Sequence, residues 1–297
     1  MRFAAIDIGS NALRLLTMNV FPNDGHPIFK KESLIRIPLR LGEESFLNGR
    51  ISDNKADKLS KVMQAFKNLI EANDVTHYRA CATAAMREAS NGHEVMEKVW
   101  RDTGVKIEIV DGSREAQIIY SNQIVENLDG NNTYLYIDVG GGSTEMSLLT
   151  KKKILFSQSF PIGTLKILNN QVEDGDWAPI RELLQGFHEK HKNIVGIGSG
   201  GNINKIFKLY GDTEQGTLSH QQLLDAWNHL NSYSYENRVT VLGLKPDRAD
   251  VILPATEIFL FISKHAGIQS FLVPKIGLSD GIIHQLYEEY ASGKLLV

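Results

Sequence analysis

The sequence predicts an α/β protein that is built from two similar lobes. Strand-like apolar runs alternate with helical patterns along the chain, which is typical of α/β folds. A hairpin pattern near the N-terminus returns from residue 135 onward, and the length of 297 residues is sufficient for two domains. A duplicated hairpin one domain apart indicates two related lobes that face a shared cleft.

Composition and charge exclude several classes of protein. The chain has 32 basic and 35 acidic side chains and a net charge of −3, which argues against bulk electrostatic binding of nucleic acid. No apolar run approaches the ~18 residues that a membrane helix needs, and the N-terminus lacks the apolar stretch of a signal peptide. The single cysteine, Cys81, excludes an internal disulfide framework and a multi-thiolate zinc site. We therefore expect a cytoplasmic protein.

Two matching hairpin patterns provide the main functional signal. The first reads AAIDIGSNALRLL and the second LYIDVGGGSTEMSLL, with Asp7 and Asp138 at the same place near the end of the first strand. Backbone N–H groups of a glycine-rich turn can approach an anion closely, and an aspartate beside the turn can bind a divalent cation. One copy alone also fits an ordinary hairpin whose aspartate caps its turn. Two matched copies favour phosphate chemistry.

The second turn offers more potential ligands than the first. Residues 140–144 provide backbone N–H donors and two hydroxyl groups, and Asp138 and Glu145 add a carboxylate on either side. This combination suits a phosphate that is bridged by a metal ion. The alternative is a flexible turn with a solvated Glu145. Because ordering three consecutive glycines costs entropy, the functional interpretation is favoured.

A third glycine-rich turn lies at residues 196–202, between a strand and a helix. It matches a dinucleotide-binding fingerprint only loosely. A helix N-terminus here would attract anions, and a tight strand-to-helix connection explains the pattern equally well. The residues alone leave both alternatives open.

Isolated charged residues complete the set of candidates. Glu115 falls in the first turn of a helix that Ser113 would cap, where the helix dipole favours a carboxylate for structural or catalytic reasons. Arg14 and Arg40 are flanked by leucines and Arg87 follows a run of small and apolar residues, and arginine suits bidentate binding of phosphate. Each arginine alone also fits a structural role.

The remaining elements follow from apolar periodicity and capping signals. Residues 56–72 have apolar side chains at helical spacing, Ser52 is placed to cap this helix, and Gly104 closes a second helix. Further helices are expected around Leu183, from Asn202 and from Ser279. Strands are expected at residues 78–83 and 106–110 and around Ile137, Met146 and Phe156. The predicted domains are residues 1–127 and 128–297, and the last helix, about 279–297, is free to pack back on the first lobe.

These motifs together resemble the exopolyphosphatase and guanosine pentaphosphatase family, part of the actin/hexokinase/Hsp70-like superfamily. The stretches that support the resemblance follow in order over nearly the whole chain. They are AAIDIGSNALRLL, IPLRLGE, ATAAMREA, IEIVDGSREAQIIY, YIDVGGGSTE, FPIGTLK, VGIGSGGNINKI, RADVILPA and GLSDGI. The resemblance implies the actin-like fold, with two ribonuclease-H-like lobes around an interdomain cleft, in its short two-domain form.

The resemblance also implies a role for each candidate residue. Asp7, Asp138 and Glu145 match the carboxylates associated with magnesium or manganese. Glu115 matches the glutamate that activates the attacking water, and Glu145 is the second catalytic candidate. The residues that match phosphate-binding positions are Gly9, Ser10, Asn11, Arg14, Arg87, Gly140, Gly141, Gly142, Ser143, Thr144, Gly198, Ser199, Gly200 and Gly201.

The activity implied by the resemblance is that of a hydrolase. It would remove the terminal phosphate of inorganic polyphosphate or the 5′-terminal phosphate of guanosine pentaphosphate. The expected ligand is a small polyanion, without nucleic acid or membrane, and a homodimer is one option for the assembly. Two departures from the family pattern, Ala12 and Ser279, each remove a polar group and support the alternative of a non-catalytic sensor. A small-molecule kinase on the same fold is the third hypothesis.

Overall fold

The protein forms two compact α/β units. The first comprises residues 1–122 and 278–297, and the second comprises residues 123–277. Each contains one β-sheet with parallel and antiparallel strand pairs, so the predicted α/β class is confirmed. The computed structural model describes residues 1–23, 27–111, 114–115, 118, 128–151 and 153–295.

The sheet of the first unit begins as an antiparallel meander and continues with parallel strands. Its strands are β1 (Arg2–Ile8), β2 (Leu13–Phe21), β3 (Ile28–Ile37), β4 (His77–Ala82) and β5 (Ile107–Ile109). They lie in the order β3-β2-β1-β4-β5, with β1–β2 and β2–β3 antiparallel and β1–β4 and β4–β5 parallel. The helices between them are α1 (Leu41–Asn48), α2 (Asp53–Ala72), α3 (Ala84–Glu88) and α4 (Gly92–Thr103).

The sheet of the second unit repeats this arrangement and extends it by one strand. Its strands are β6 (Thr133–Val139), β7 (Thr144–Thr150), β8 (Lys153–Phe160), β9 (Ile194–Ser199), β10 (Thr217–Ser219) and β11 (Ser270–Leu272). Their order is β8-β7-β6-β9-β11-β10. The helices are α5 (Thr164–Leu168), α6 (Asp174–Lys190), α7 (Gly201–Tyr210), α8 (His220–Asn231), α9 (Tyr235–Thr240), α10 (Pro246–Ala249) and α11 (Ile252–Ala266).

The duplication predicted from the two hairpin patterns is confirmed at the level of topology. In each sheet a meander of three antiparallel strands is followed by a strand that pairs in parallel with the first. β6, β7, β8 and β9 therefore correspond to β1, β2, β3 and β4. As a result, the turn between the first two strands occupies the same place in both units.

Helix α2 shows how the sequence pattern becomes a packed helix. The Ser52 side chain accepts a hydrogen bond from the backbone N–H of Lys55, as the predicted N-cap requires. Leu59, Met63 and Phe66 are buried in the core of the first unit. Their spacing of three to four residues places them on one face of the helix, which confirms the predicted stripe.

The second core depends on a helix that the sequence pattern does not predict. Helix α11 has buried residues over a broad arc of its circumference, because other helices pack on several of its faces, and only the face with Glu257 and Lys264 is exposed. A helix with such a broad apolar face has only a weak amphipathic period, and a short apolar run can equally indicate a strand. Pro254 lies in its first turn, where no helical N–H is lost.

No helix in the described parts of the chain is both long and apolar enough to cross a membrane. The apolar helix α11 has 15 residues, fewer than the ~20 that span a bilayer. Helix α2 has 20 residues, and its solvent face is charged.

The last helix, α12 (Leu278–Ala291), packs on the sheet of the first unit. The Arg79 guanidinium on β4 donates two hydrogen bonds to the Glu289 carboxylate, at 3.1 and 2.6 Å. The ring of Phe3 on β1 lies edge-on to the rings of Tyr287 and Tyr290. The predicted boundary at residues 127 and 128 adjoins residues 119–127, which lie outside the described chain, so it stays a prediction.

We expect the ion pair between Arg79 and Glu289 to contribute to the packing of α12 on the sheet of the first unit. The Arg79 side chain is only 16% exposed, and removing it leaves a partly buried carboxylate with fewer donors. Arg79→Ala should lower the free energy of unfolding by about 1–3 kcal/mol, as measured by urea denaturation. The control is Lys98→Ala, which removes two ion pairs at the surface of α4 and should have a smaller effect. Equal losses in the two variants would contradict this interpretation.

Candidate functional site

The turn between β1 and β2, with the charged residues beside it, forms what we name the first corner. Asp7 is the second-last residue of β1, and the antiparallel register places it opposite Arg14 on β2. Arg14 Nη1 donates to Asp7 Oδ2 at 2.6 Å, and Asp7 is buried. Strand β3 places Arg36 opposite Arg14. Because directly opposed residues share a face of the sheet, the first corner aligns one carboxylate and two guanidinium groups.

The turn between β6 and β7 forms the second corner. Asp138 is the second-last residue of β6, and the register places it opposite Glu145 on β7. Glu145 in turn lies opposite Ser159 on β8, and Asp138 lies beside Ser199 on β9. The second corner therefore aligns two carboxylates between two hydroxyl groups.

The two corners have the same geometry and opposite charge. The position opposite the aspartate is occupied by Arg14 in the first unit and by Glu145 in the second. Arginine favours phosphate, whereas neighbouring carboxylate oxygens favour a hard divalent cation. The first corner is thus suited to an anion and the second corner to a cation.

Glu145 is held by two hydroxyl groups. The Ser143 and Ser159 Oγ atoms donate to Glu145 Oε1 at 2.6 and 2.8 Å. The Glu145 side chain is almost fully buried, with 2% of its surface exposed. Burying a carboxylate is costly unless hydrogen bonds compensate it, so the two serines allow this charge to be kept inside the unit.

The backbone of the first turn is braced by the segment that enters α1. The N–H groups of Gly42 and Arg40 donate to the carbonyl oxygens of Ser10 and Asn11, at 2.9 and 3.0 Å. Because a trans peptide directs its carbonyl and its following N–H in opposite directions, the next two N–H groups of the turn point away from α1. The Arg40 side chain forms an ion pair with Glu43 at 2.6 Å, which is a structural role.

The backbone of the second turn is braced in the same way by α5. The N–H groups of Thr164 and Leu165 donate to the carbonyl oxygens of Gly140 and Gly141, at 3.0 and 2.8 Å. The N–H groups of Gly141 and Gly142 are consequently directed away from α5. This is an arrangement of consecutive N–H donors that can bind an anion. Gly163 packs directly against the Gly141 carbonyl, where a side chain would collide.

The third glycine-rich turn meets the aspartate of the second corner. Gly200 has a φ of 101°, a conformation that favours glycine, and a Cβ there would lie 2.9 Å from Asp138 Oδ1. Ser199 Oγ lies 3.3 Å from Asp138 Oδ2 and 2.9 Å from the carbonyl oxygen of Ile276. The turn is a tight strand-to-helix connection, and it also adjoins the second corner. The structure is therefore compatible with both the structural and the anion-binding interpretation of this turn.

Arg87 and Glu115 are both joined by hydrogen bonds to the segment that follows β5. Arg87 Nη1 donates to the carbonyl oxygen of Val110 at 2.8 Å, which ties α3 to the segment that leads to Glu115. The Asp111 carboxylate accepts the N–H of Arg114 at 2.7 Å, the bond of an N-cap residue, and its carbonyl accepts the N–H of Glu115. The predicted cap Ser113 lies outside the described residues. Glu115 itself is 8% exposed.

The donor set of the second corner fits magnesium. Across the described chain, no group of three or more histidine, cysteine, aspartate or glutamate side chains is placed to hold a metal ion. Magnesium does not need such a cage, because it is usually bound by one or two carboxylates together with water and substrate phosphates. Asp138 and Glu145 supply the two carboxylates. The charge of Asp7 is offset by Arg14, so Asp7 fits the cation less well.

A nucleophilic thiolate is excluded at this place. Cys81 lies beside Asp7 on the neighbouring strand β4 and is fully buried. Burial raises the pKa of its thiol to about 12, so it stays protonated at neutral pH.

The structure adds two candidates that the sequence analysis missed, Arg36 and Ser159. Both lie on the third strand of a meander and are opposite a predicted site residue. An alternation of polar and apolar residues along the third strand would predict which of its side chains face the site. The strand with Arg36, β3, is largely exposed on both faces and shows no such alternation. The other predicted residues of the second unit, Gly140 to Glu145 and Gly198 to Gly201, are brought together around Asp138.

We expect Gly163 to be required for the bracing of the second turn. Gly163→Ala puts a methyl group into the backbone of Gly141 and Gly142, so either this turn or α5 has to move. The free energy of unfolding should fall by about 1–3 kcal/mol, as for other overpacked sites. The matched control is Gly186→Ala on α6, where a Cβ meets nothing within 4 Å and alanine should stabilise the helix. A neutral Gly163→Ala in thermal and urea denaturation would contradict the assignment.

Comparisons with known proteins identify relatives over most of the chain. A bifunctional 3-dehydroquinate synthase/phosphatase of Fusobacterium nucleatum is 26% identical over 91% of this chain and 44% of its own length. Exopolyphosphatase 1 of Mycobacterium tuberculosis is 23% identical over 100% of this chain and 91% of its own length. A guanosine-5′-triphosphate,3′-diphosphate pyrophosphatase of Aeromonas hydrophila is 24% identical over 96% of this chain and 59% of its own length. The chain thus spans less than two thirds of the length of two of these relatives.

A solved structure and a family model agree with these relatives. The crystal structure of the Aquifex aeolicus member of the Ppx/GppA protein family superposes with a TM-score of 0.75 and 25% identity, over 98% of both chains. The model of the Ppx/GppA phosphatase family matches residues 25–289, which include the second corner and, from the first corner, Arg36. The chain therefore belongs to the Ppx/GppA phosphatase family.

Proposed function

We propose that this protein is a metal-dependent hydrolase of linear phosphoanhydrides. It removes the terminal phosphate of inorganic polyphosphate, the 5′-terminal phosphate of guanosine pentaphosphate, or both. The observation that carries the proposal is the contrast between the corners, in which Arg14 and Glu145 occupy equivalent positions beside Asp7 and Asp138. A phosphoanhydride bound with magnesium needs both signs of charge, namely cations and N–H donors on its oxygens and carboxylates on the metal.

The first unit supplies phosphate-binding groups. The turn after β1 offers the N–H groups of Asn11 and Ala12, whose directions are fixed by the bonds to the segment before α1. Arg14 lies beside this turn, with Arg36 next to it on the same face. Guanidinium groups bind phosphate oxygens in a bidentate manner. Arg87 contributes a further guanidinium, with one nitrogen anchored to the Val110 carbonyl.

The second unit supplies the cation site and further N–H donors. Asp138 and Glu145 would hold magnesium or manganese, which neutralises charge on the phosphoryl oxygens when bound. The N–H groups of Gly141 and Gly142 would bind oxygens of the terminal phosphate. Because α5 fixes these donors before substrate arrives, little reorganisation is needed at the moment of reaction.

Glu115 is the proposed general base. It accepts a proton of the attacking water while the water oxygen forms a bond to the terminal phosphorus. The bond from that phosphorus to the bridging oxygen breaks, and the remaining chain leaves with this oxygen. Its backbone is held by the Asp111 carbonyl, and its side chain is mostly shielded from solvent. Shielding reduces competition from bulk water for the same carboxylate, which suits a group that has to orient one water molecule.

The relatives support this class of reaction. One is named an exopolyphosphatase and another a guanosine-5′-triphosphate,3′-diphosphate pyrophosphatase, and both names describe cleavage of phosphoanhydrides. Ala12 is 2% exposed and Ser279 is 4% exposed, so the side chains at these two departures from the family pattern are buried. The proposed ligand is a small polyanion, and the proposed compartment is the cytoplasm.

A substrate panel tests the proposal directly. Phosphate release is measured from polyphosphate, guanosine pentaphosphate and ATP, with magnesium and after exhaustive chelation. We expect release from polyphosphate or guanosine pentaphosphate that disappears on chelation and returns with magnesium. Binding without release would favour a sensor, and ATP-dependent phosphorylation of a metabolite would favour a kinase. Undiminished release after chelation would contradict the role of the metal.

The variant Glu115→Gln tests the proposed base. The glutamine keeps the shape of the side chain and removes the proton acceptor, so kcat should fall by about 10²- to 10⁴-fold. Binding of polyphosphate should persist or tighten, since one negative charge near a polyanion is lost. The matched control is Glu108→Gln on β5, an exposed residue that should leave kcat unchanged. A kcat of Glu115→Gln within about threefold of the parent would rule out this base, because that lies far below the general-base range.

A further inference from the structure

We propose that Ser159 is a positioning residue that orients the Glu145 carboxylate for the cation. Ser159 lies on β8, and its hydroxyl group acts together with that of Ser143 on the same oxygen of Glu145. The inference rests on the proposed function, because it takes Glu145 as a ligand of the metal. It adds a residue outside the glycine-rich turns and outside the motif that contains Glu145.

The geometry of the three side chains carries the proposal. Ser143 Oγ lies 2.6 Å and Ser159 Oγ 2.8 Å from Glu145 Oε1. Ser159 is the direct partner of Glu145 in the β7–β8 ladder, so both side chains leave the sheet on the same face. The strand register therefore places the Ser159 hydroxyl group within reach of the Glu145 carboxylate.

Because Ser143 and Ser159 both donate to Oε1, they influence which carboxylate oxygen of Glu145 contacts a cation. A carboxylate oxygen has about two lone-pair directions, and the two serine hydroxyls use those of Oε1. We therefore expect a cation to contact Glu145 through Oε2 rather than through Oε1. The terminal torsion of a glutamate is soft, so without these donors the carboxylate can rotate and exchange its oxygens.

The two serines differ in what they are attached to. Ser143 belongs to the second turn and moves with it, whereas Ser159 belongs to the edge strand β8. The chain continues from Ser159 to Gly163 and to the N–H groups of Thr164 and Leu165, which brace the turn. The segment 159–165 thus orients the proposed metal ligand and the phosphate-binding N–H groups together.

The competing interpretation is that Ser159 only stabilises the ladder. The chain offers a matched control for this, because Ser157 lies two residues earlier on the same face of β8. Ser157 Oγ lies 2.9 Å from Ser147 Oγ, across the same pair of strands. Ser157 and Ser159 differ chiefly in their partner, which is a hydroxyl group for Ser157 and the Glu145 carboxylate for Ser159.

The test measures metal binding without turnover. Binding of Mn²⁺ to the full chain is followed by the electron paramagnetic resonance signal of free Mn²⁺, and folding is checked by circular dichroism. Ser159→Ala should weaken Mn²⁺ binding by about 10- to 100-fold, the usual effect of removing a partner of a metal ligand. Ser157→Ala should bind Mn²⁺ like the parent. The magnesium concentration for half-maximal activity should rise in parallel for Ser159→Ala alone.

An isosteric pair of variants keeps the test independent of packing. Ser159→Thr retains the hydroxyl group, and Ser159→Val has nearly the same shape without it. We expect the threonine variant to bind Mn²⁺ like the parent and the valine variant to bind like Ser159→Ala. Equal binding by the threonine and valine variants overturns the inference.

One further variant separates this inference from the proposed function. Glu145→Gln keeps an acceptor for the two serines and removes the proposed ligand oxygen, so Mn²⁺ binding should be lost. If it is lost while Ser159→Ala and Ser157→Ala bind alike, only the inference on Ser159 fails. If Glu145→Gln binds Mn²⁺ like the parent, or if the parent takes up none, the metal assignment of the proposed function fails and the inference fails with it.

Discussion

The antiparallel register of the first two strands in each sheet is the constraint on which the candidate site depends. It places Arg14 opposite Asp7 and Glu145 opposite Asp138. Because side chains alternate along a strand, a slip of one residue would turn either partner to the other face of its sheet. The same hairpin geometry thus gives opposite electrostatic character in the two units, and the choice of one residue in each copy decides which ligand the corner suits.

The register alone does not make a binding site, because the turns also have to hold their N–H groups in place. The third strand of each meander leads into a helix, and N–H groups at the start of this helix or just before it donate to the carbonyl oxygens of the turn. This bracing directs the following N–H groups away from the helix. Each unit consequently presents preorganised donors, and preorganisation is what distinguishes a phosphate-binding turn from a flexible glycine-rich loop.

The sequence predicts those features whose signal is local. The aspartates of both hairpins, the cap at Ser52 and the close of α4 at Gly104 each follow from a few neighbouring residues. The structure adds what depends on tertiary context. Helix α11 has a broad apolar face because several helices pack on it, and Ser159 gains its partner only through the β7–β8 register. Local patterns alone identify neither the helix nor this hydrogen bond.

The central claim is that water attacks the terminal phosphorus of a linear phosphoanhydride. Its most direct test is hydrolysis of polyphosphate and guanosine pentaphosphate in ¹⁸O-labelled water, with mass analysis of both products. A general base acting on water predicts one ¹⁸O atom in the released orthophosphate and none in the remaining chain. Label in the remaining chain, or phosphate released without label, would contradict the account.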